Sequence, residues 1–172
     1  MIDETDGRIG EAWAGDAPDG CHINVVLARR GSPTAAAAVA ALASPRPGHT
    51  PFLVCLGPGT LVRPPTIFVN KTTIDSEAIG RLTWGASQLG VGQGVLDAVA
   101  EDLLDAREAR EISLLAAVWI DPAATDETAL RRACRTATRD AIADALDPGA
   151  VDAVQALVER REQAANGFYA GD

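Results

Sequence analysis

The stretch Cys21–Ala28, CHINVVLA, alternates along an extended chain: Cys21, Ile23, Val25 and Leu27 fall on one side, His22, Asn24 and Val26 on the other. The first set is apolar and faces a core. His22 and Asn24 therefore share the opposite side of the strand. Upstream, residues 8–14 form a second strand, and the intervening DAPDG is built of residues that turns require.

Downstream the chain alternates between helical and extended patterns. GSPTAAAAVAALAS is a helix with Ser32 as N-cap and Pro33 at the first helical position, where a missing N–H costs nothing. TPFLVCL reads as a short strand and GPGTLVRPP as a loop. TIFVNKTTI is a β-branched strand that sends Val69, Lys71 and Thr73 one way and Phe68, Asn70 and Thr72 the other. From about Asp75 to Leu104 the spacing of Leu89, Leu96, Val99 and Leu103 is helical, as one helix interrupted near Trp84–Gly85 or as two in succession. ISLLAAVWI is a buried strand closed by Asp121–Pro122. An Ala-rich helix then runs from about Asp126 to Leu146, and VDAVQALVERREQAA forms a final amphipathic one. Strands come first, then helices mixed with single strands, which points to an α+β two-layer sandwich over regular βαβ winding. Nothing divides the 172 residues, so one domain spanning 1–172 is expected.

Composition narrows the function. A net charge of −9 and a pI near 4.6 argue against nucleic acid as a partner, and equally against an anionic membrane surface. The three cysteines, Cys21, Cys55 and Cys134, lack CxxC spacing, and two histidines do not complete a zinc set, so neither a metal site nor a disulfide framework is expected. The absence of a secretory or membrane-spanning pattern makes a cytoplasmic protein the expectation.

Lys71 is the only lysine beside fourteen arginines. An edge strand uses lysine as a solvated charge, yet arginine would serve there nearly as well. Positions that require lysine need a compact point charge or a tunable amine. His22 is open to two readings, a satisfied strand histidine or a catalyst beside Asn24. His49, in RPGHT, reads as a loop or cap residue. Cys21 neighbours His22 in sequence, but alternation turns its thiol to the other face, as a buried structural group. GVGQG lies within a helical pattern, not after a strand, and reads as helix packing instead of a phosphate loop.

The blocks IGEAWAGD, HINVVLARRGSP, GHTPFLVCL, RPPTIFVNKTTI, GASQLGVGQGVLDAVAEDLL and VWIDPAA, in this order from about Ile9 to Ala123, closely resemble the formaldehyde-activating enzyme family. The resemblance implies a ribosomal-protein-S5-domain-2-like fold and a homopentamer with sites between subunits. The implied reaction is condensation of formaldehyde with tetrahydromethanopterin, a co-substrate and not a tightly bound cofactor, to the N5,N10-methylene derivative and water. It implies His22 as catalytic acid and Asn24, Leu53, Lys71, Thr73 and Gln88 as pterin contacts. An imidazole suits the task, because the hydroxide of a hydroxymethyl adduct leaves only when protonated. The chain also departs from the family pattern. The family aspartate two residues after the histidine is Asn24, the family proline and histidine of two later blocks are Ser87 and Asp121, and the segment after Gly149 is expected to diverge from the family pattern. The alternative is a divergent homologue that binds formaldehyde or a pterin without this catalysis, or that uses another amine acceptor.

Overall fold

A computed structural model describes residues 5–147 and 150–163. Two strands open the fold, β1 (Ile9–Ala14) and β2 (Cys21–Arg29), antiparallel with Trp13 opposite His22 and Glu11 opposite Asn24. Helix α1 (Pro33–Leu42) follows, and Ser32 Oγ accepts the Ala35 N–H at 3.0 Å, the cap its sequence promises. The segment expected as one strand at TPFLVCL is two, β3 (Phe52–Leu53) and β4 (Cys55–Gly57), and the expected loop after it contains β5 (Thr60–Leu61). The chain leaves the main sheet after Leu53 so that β4 and β5 can pair with each other, folding that the local residue pattern does not encode. Strand β6 (Thr66–Asn70) and strand β7 (Ile112–Ile120) complete a five-stranded mixed sheet of order β1-β2-β7-β6-β3, in which only β6 and β7 are parallel.

Between β6 and β7 run α2 (Glu77–Arg81), a six-residue π-helical turn at Leu82–Ser87, and α3 (Gln88–Ala100). The interruption expected near Trp84–Gly85 is that π turn. Helix α4 (Glu127–Leu146) starts on Asp126, whose carboxylate accepts the Thr128 and Ala129 N–H groups, and α5 (Ala150–Glu159) follows it. The architecture is α+β.

Helices α3 and α4 cover one face of the sheet. There Ile23, Val25, Leu27, Ala116 and Val118 are buried with Val91, Val95, Leu130, Ala137 and Ile142. Fully burying a side chain such as Ile23 stabilises by about 1.5–3 kcal/mol. The helices approach closely because Gly90 and Gly94 lack side chains: a Cβ on either would collide with the Arg131 or Arg135 carbonyl. GVGQG is thus a packing surface. The opposite face remains open over much of its area, with α1 beside β2 and β6 at one end.

Candidate functional site

Alternation on the open face brings four strands to one place. Trp13 of β1, His22 of β2 and Trp119 of β7 lie in one cross-strand row, which Lys71 extends just past β6, where its N–H bonds the Val118 carbonyl at 2.7 Å. Glu11, Asn24, Ala117 and Val69 form the next row on the same face. Cys21 points inward and is fully buried, as alternation requires.

Lys71 is held from below. As β6 ends, the Thr72 hydroxyl turns into the sheet, donating to the Ile120 carbonyl at 2.5 Å and accepting the Ile120 N–H at 3.1 Å. A side chain thus continues the ladder, and alternation about it directs Lys71 and Thr73 outward. Asn70, also buried, donates to the Gly48 and Thr72 carbonyls at 2.8 and 2.7 Å, tying the Gly48–His49 loop to the strand end.

The polar groups on the open face form one chain of contacts. Lys71 Nζ lies 2.8 Å from His22 Nδ1 and 2.7 Å from Asn24 Oδ1, and His22 Nε2 lies 2.7 Å from Glu11 Oε2. An ammonium only donates, so Nδ1 accepts from Lys71, and Nε2 then carries the ring proton and donates to Glu11. Two of the three Lys71 N–H bonds are occupied, and both are directed to neutral acceptors. The Trp13 ring stacks beside the His22 ring, with centroids 6.5 Å apart. Burial lowers the Lys71 pKa below the ordinary lysine value, with Cys21 and then Glu11 opposing the shift. The His22 side chain is 30% exposed and that of Glu11 66%, so the arrangement can be reached from solvent.

Of the six residues expected at a site, His22, Asn24 and Lys71 are in direct contact. Thr73 lies beside them in sequence, exposed, its hydroxyl 3.2 Å from His49 Nε2. Leu53 and Gln88 are elsewhere. Leu53 pairs with Ile67, four residues back along β6 from Lys71, about 13 Å at strand rise. Gln88 occupies both ends of its amide within the chain: Nε2 donates to the Trp84 carbonyl at 2.6 Å, and Oε1 accepts the Cys55 N–H at 2.9 Å. It thereby joins the π turn to β4. Leu53, 37% exposed, and Cys55 flank this second locus.

Two residues of the first locus were missed in the sequence. Glu11 is opposite Asn24 in the hairpin, so registering the β1 and β2 segments across DAPDG would have placed it there. His49 reaches Thr73 through a loop contact that no periodicity announces.

Comparison with known proteins gives this geometry a context. Residues 9–169 match the family described as formaldehyde-activating enzyme, so the match continues through the segment after Gly149 that the sequence motifs alone did not connect to it. A 5,6,7,8-tetrahydromethanopterin hydro-lyase of Methanosarcina barkeri is 37% identical over 139 residues, covering 81% of this chain and 78% of the relative. A bifunctional enzyme Fae/Hps of Methanosphaera stadtmanae is 34% identical over 164 residues, 95% of this chain. Another of that name from Archaeoglobus fulgidus is 34% identical over 120 residues, 70% of this chain. The match spans 40% and 30% of those two longer relatives.

Proposed function

The chain belongs to the formaldehyde-activating enzyme family, and on that premise we propose that it condenses formaldehyde with tetrahydromethanopterin. It is a lyase whose product is the N5,N10-methylene pterin, formed with loss of water. The observation that carries the residue assignment is the contact of His22 with both Lys71 and Glu11 on an open sheet face.

The chemistry has two difficult moments. An amine must add to formaldehyde, and the hydroxyl of the resulting carbinolamine must leave as water. His22 supplies the proton for the second moment, as general acid, a role commonly contributing about 10²–10⁴-fold. Both of its ring nitrogens are engaged within the chain, so the substrate must displace one partner. Glu11, the more exposed, is the one that yields. Formaldehyde offers almost no surface to bind, and holding the pterin in register therefore supplies much of the remaining acceleration. Lys71, Thr73 and Asn24 offer polar contacts to the pterin, Leu53 an apolar wall and Gln88 its remaining amide N–H.

Leu53 and Gln88 lie away from His22 within one chain, which supports a site completed across a subunit boundary. We assign the active form as a homo-oligomer, a pentamer by the family resemblance. The domain acts in the cytoplasm, in one-carbon metabolism or formaldehyde detoxification, with the pterin as co-substrate and without a tightly bound cofactor. The test is methylene-pterin formation above the spontaneous rate, with tetrahydromethanopterin and tetrahydrofolate in parallel. Acceleration with the first is expected. No acceleration with either refutes the proposal.

A further inference from the structure

We propose that Lys71 is a covalent carrier of formaldehyde: its amine condenses with the aldehyde first, and the resulting iminium hands the methylene to the pterin. This rests on the condensation reading and specifies which amine makes the first bond.

The geometry is that of an activated nucleophile. Such a group lies within hydrogen-bond reach of a base, which is in turn oriented by a third group. Here the nucleophile is the Lys71 amine, the base is His22 Nδ1 at 2.8 Å, and Glu11 holds the far nitrogen of the same ring at 2.7 Å. The neutral ring is the tautomer that can take a proton from Lys71, and Glu11 stabilises the imidazolium that results in this first step, before the pterin arrives and displaces that carboxylate. The surroundings of Lys71 favour an amine that gives up its proton. Its other partner, Asn24, is neutral, and no carboxylate among the described residues is hydrogen-bonded to it. Glu11 is the acidic group facing the cluster, and its bond goes to His22. Partial burial acts in the same direction. Arginine could supply a charge at this position but could not supply this amine, which gives a chemical reason for a lone lysine among arginines.

The steps balance. His22 takes a proton from the Lys71 ammonium, and the free amine adds to formaldehyde. Proton transfer from nitrogen to the new alkoxide gives the carbinolamine. His22 then returns its proton to the hydroxyl, the C–O bond breaks, and water leaves a protonated methylene iminium on Lys71. The N5 amine of the pterin adds to that carbon, the Lys71 amine departs, and N10 closes the ring. The two N–H protons of the pterin restore Lys71 to an ammonium. No oxidant or reductant is consumed.

The lone lysine makes the test clean. The full-length protein is incubated with formaldehyde and cyanoborohydride, without pterin. The reductant delivers hydride to an iminium and leaves a stable methyl group, located by mass spectrometry of the Lys71 peptide. We expect Lys71 to be methylated rapidly in the folded protein. Labelling should be about tenfold slower in Asn24→Asp, because a carboxylate beside the ammonium raises its pKa by a unit or more. Labelling of Lys71 no faster than in urea-unfolded protein, or equal in Asn24→Asp, overturns the proposal. In the pterin assay, Lys71→Arg should lose about 10²-fold or more in kcat at saturating pterin, whereas a residue that only contacts the pterin would raise KM and spare kcat. Retained kcat overturns the proposal as well. Because trapping needs no pterin, its failure is read separately from any failure of the condensation assay.

Discussion

Strand β2 carries two unlike surfaces one residue apart. On the inner side, Cys21, Ile23, Val25 and Leu27 are fully buried under α3 and α4, without a polar atom needing water. On the outer side, His22 and Asn24 meet a lysine from beyond β6 and a glutamate from β1, all reachable from solvent. The inner face derives its free energy from removing apolar area from water. The outer face leaves a partly buried ammonium beside an imidazole, an arrangement that contributes little to stability and is where the proposed chemistry resides. Stability and the proposed chemistry are thus divided by the pleat of one strand, and substitutions at neighbouring positions should fail in different assays.

The largest separation is expected at His22. His22→Ala should reduce the rate of methylene-pterin formation by about 10²–10⁴-fold, and its melting temperature should stay near that of the parent. A large fall in melting temperature would mean that the outer face also holds the fold together. One residue away, Ile23→Ala should remove about 2–5 kcal/mol in urea unfolding by leaving a cavity under the helices. Its activity per folded molecule should be preserved.

Thr72→Val tests the link between the faces. The valine leaves both the Ile120 N–H and the Ile120 carbonyl without their partner, at a cost of about 1–3 kcal/mol. Since the same hydroxyl fixes the strand end that presents Lys71, kcat should fall with it. Unchanged kcat would show that Lys71 needs no such support.

The smallest expected effect is a pH shift. The folded pKa of Lys71 is lowered by burial, so between that value and the ordinary value near 10.4 the unfolded chain binds more protons than the folded one. Stability from this group therefore rises with pH through that window, and below it the buried charge is destabilising. Asn24→Asp adds a carboxylate and should narrow the window from its lower end. The alkaline limb of the pH–rate profile should move upward by about one unit or more. A profile that does not move would separate Lys71 from the rate-determining chemistry.

Local pattern was enough for much of this. Alternation in CHINVVLA and in TIFVNKTTI placed His22, Asn24 and Lys71 on outward faces, because a strand's period does not depend on what it packs against. The start of α1 was equally legible, since Ser32 and Pro33 act within one turn. What could not be read depends on partners distant in sequence. The contact of Lys71 with His22 spans β7, which intervenes between their strands in the sheet and follows both by more than forty residues. The division of TPFLVCL into β3 and β4 depends on a hairpin with β5. The use of the Gln88 amide depends on a carbonyl and an N–H that only the π turn and β4 bring together. Glu11 is intermediate, since it follows from the sequence only once the hairpin register is known.

His22 is the proposed acid of a formaldehyde–pterin condensation on the open face. The direct measurement is the initial rate of methylene-tetrahydromethanopterin formation by the parent protein and by His22→Ala, each corrected for the spontaneous reaction. Catalysis by the parent and its near-complete loss in the variant, with both proteins folded, is the predicted result. A folded His22→Ala protein that accelerates the reaction as well as the parent would contradict it.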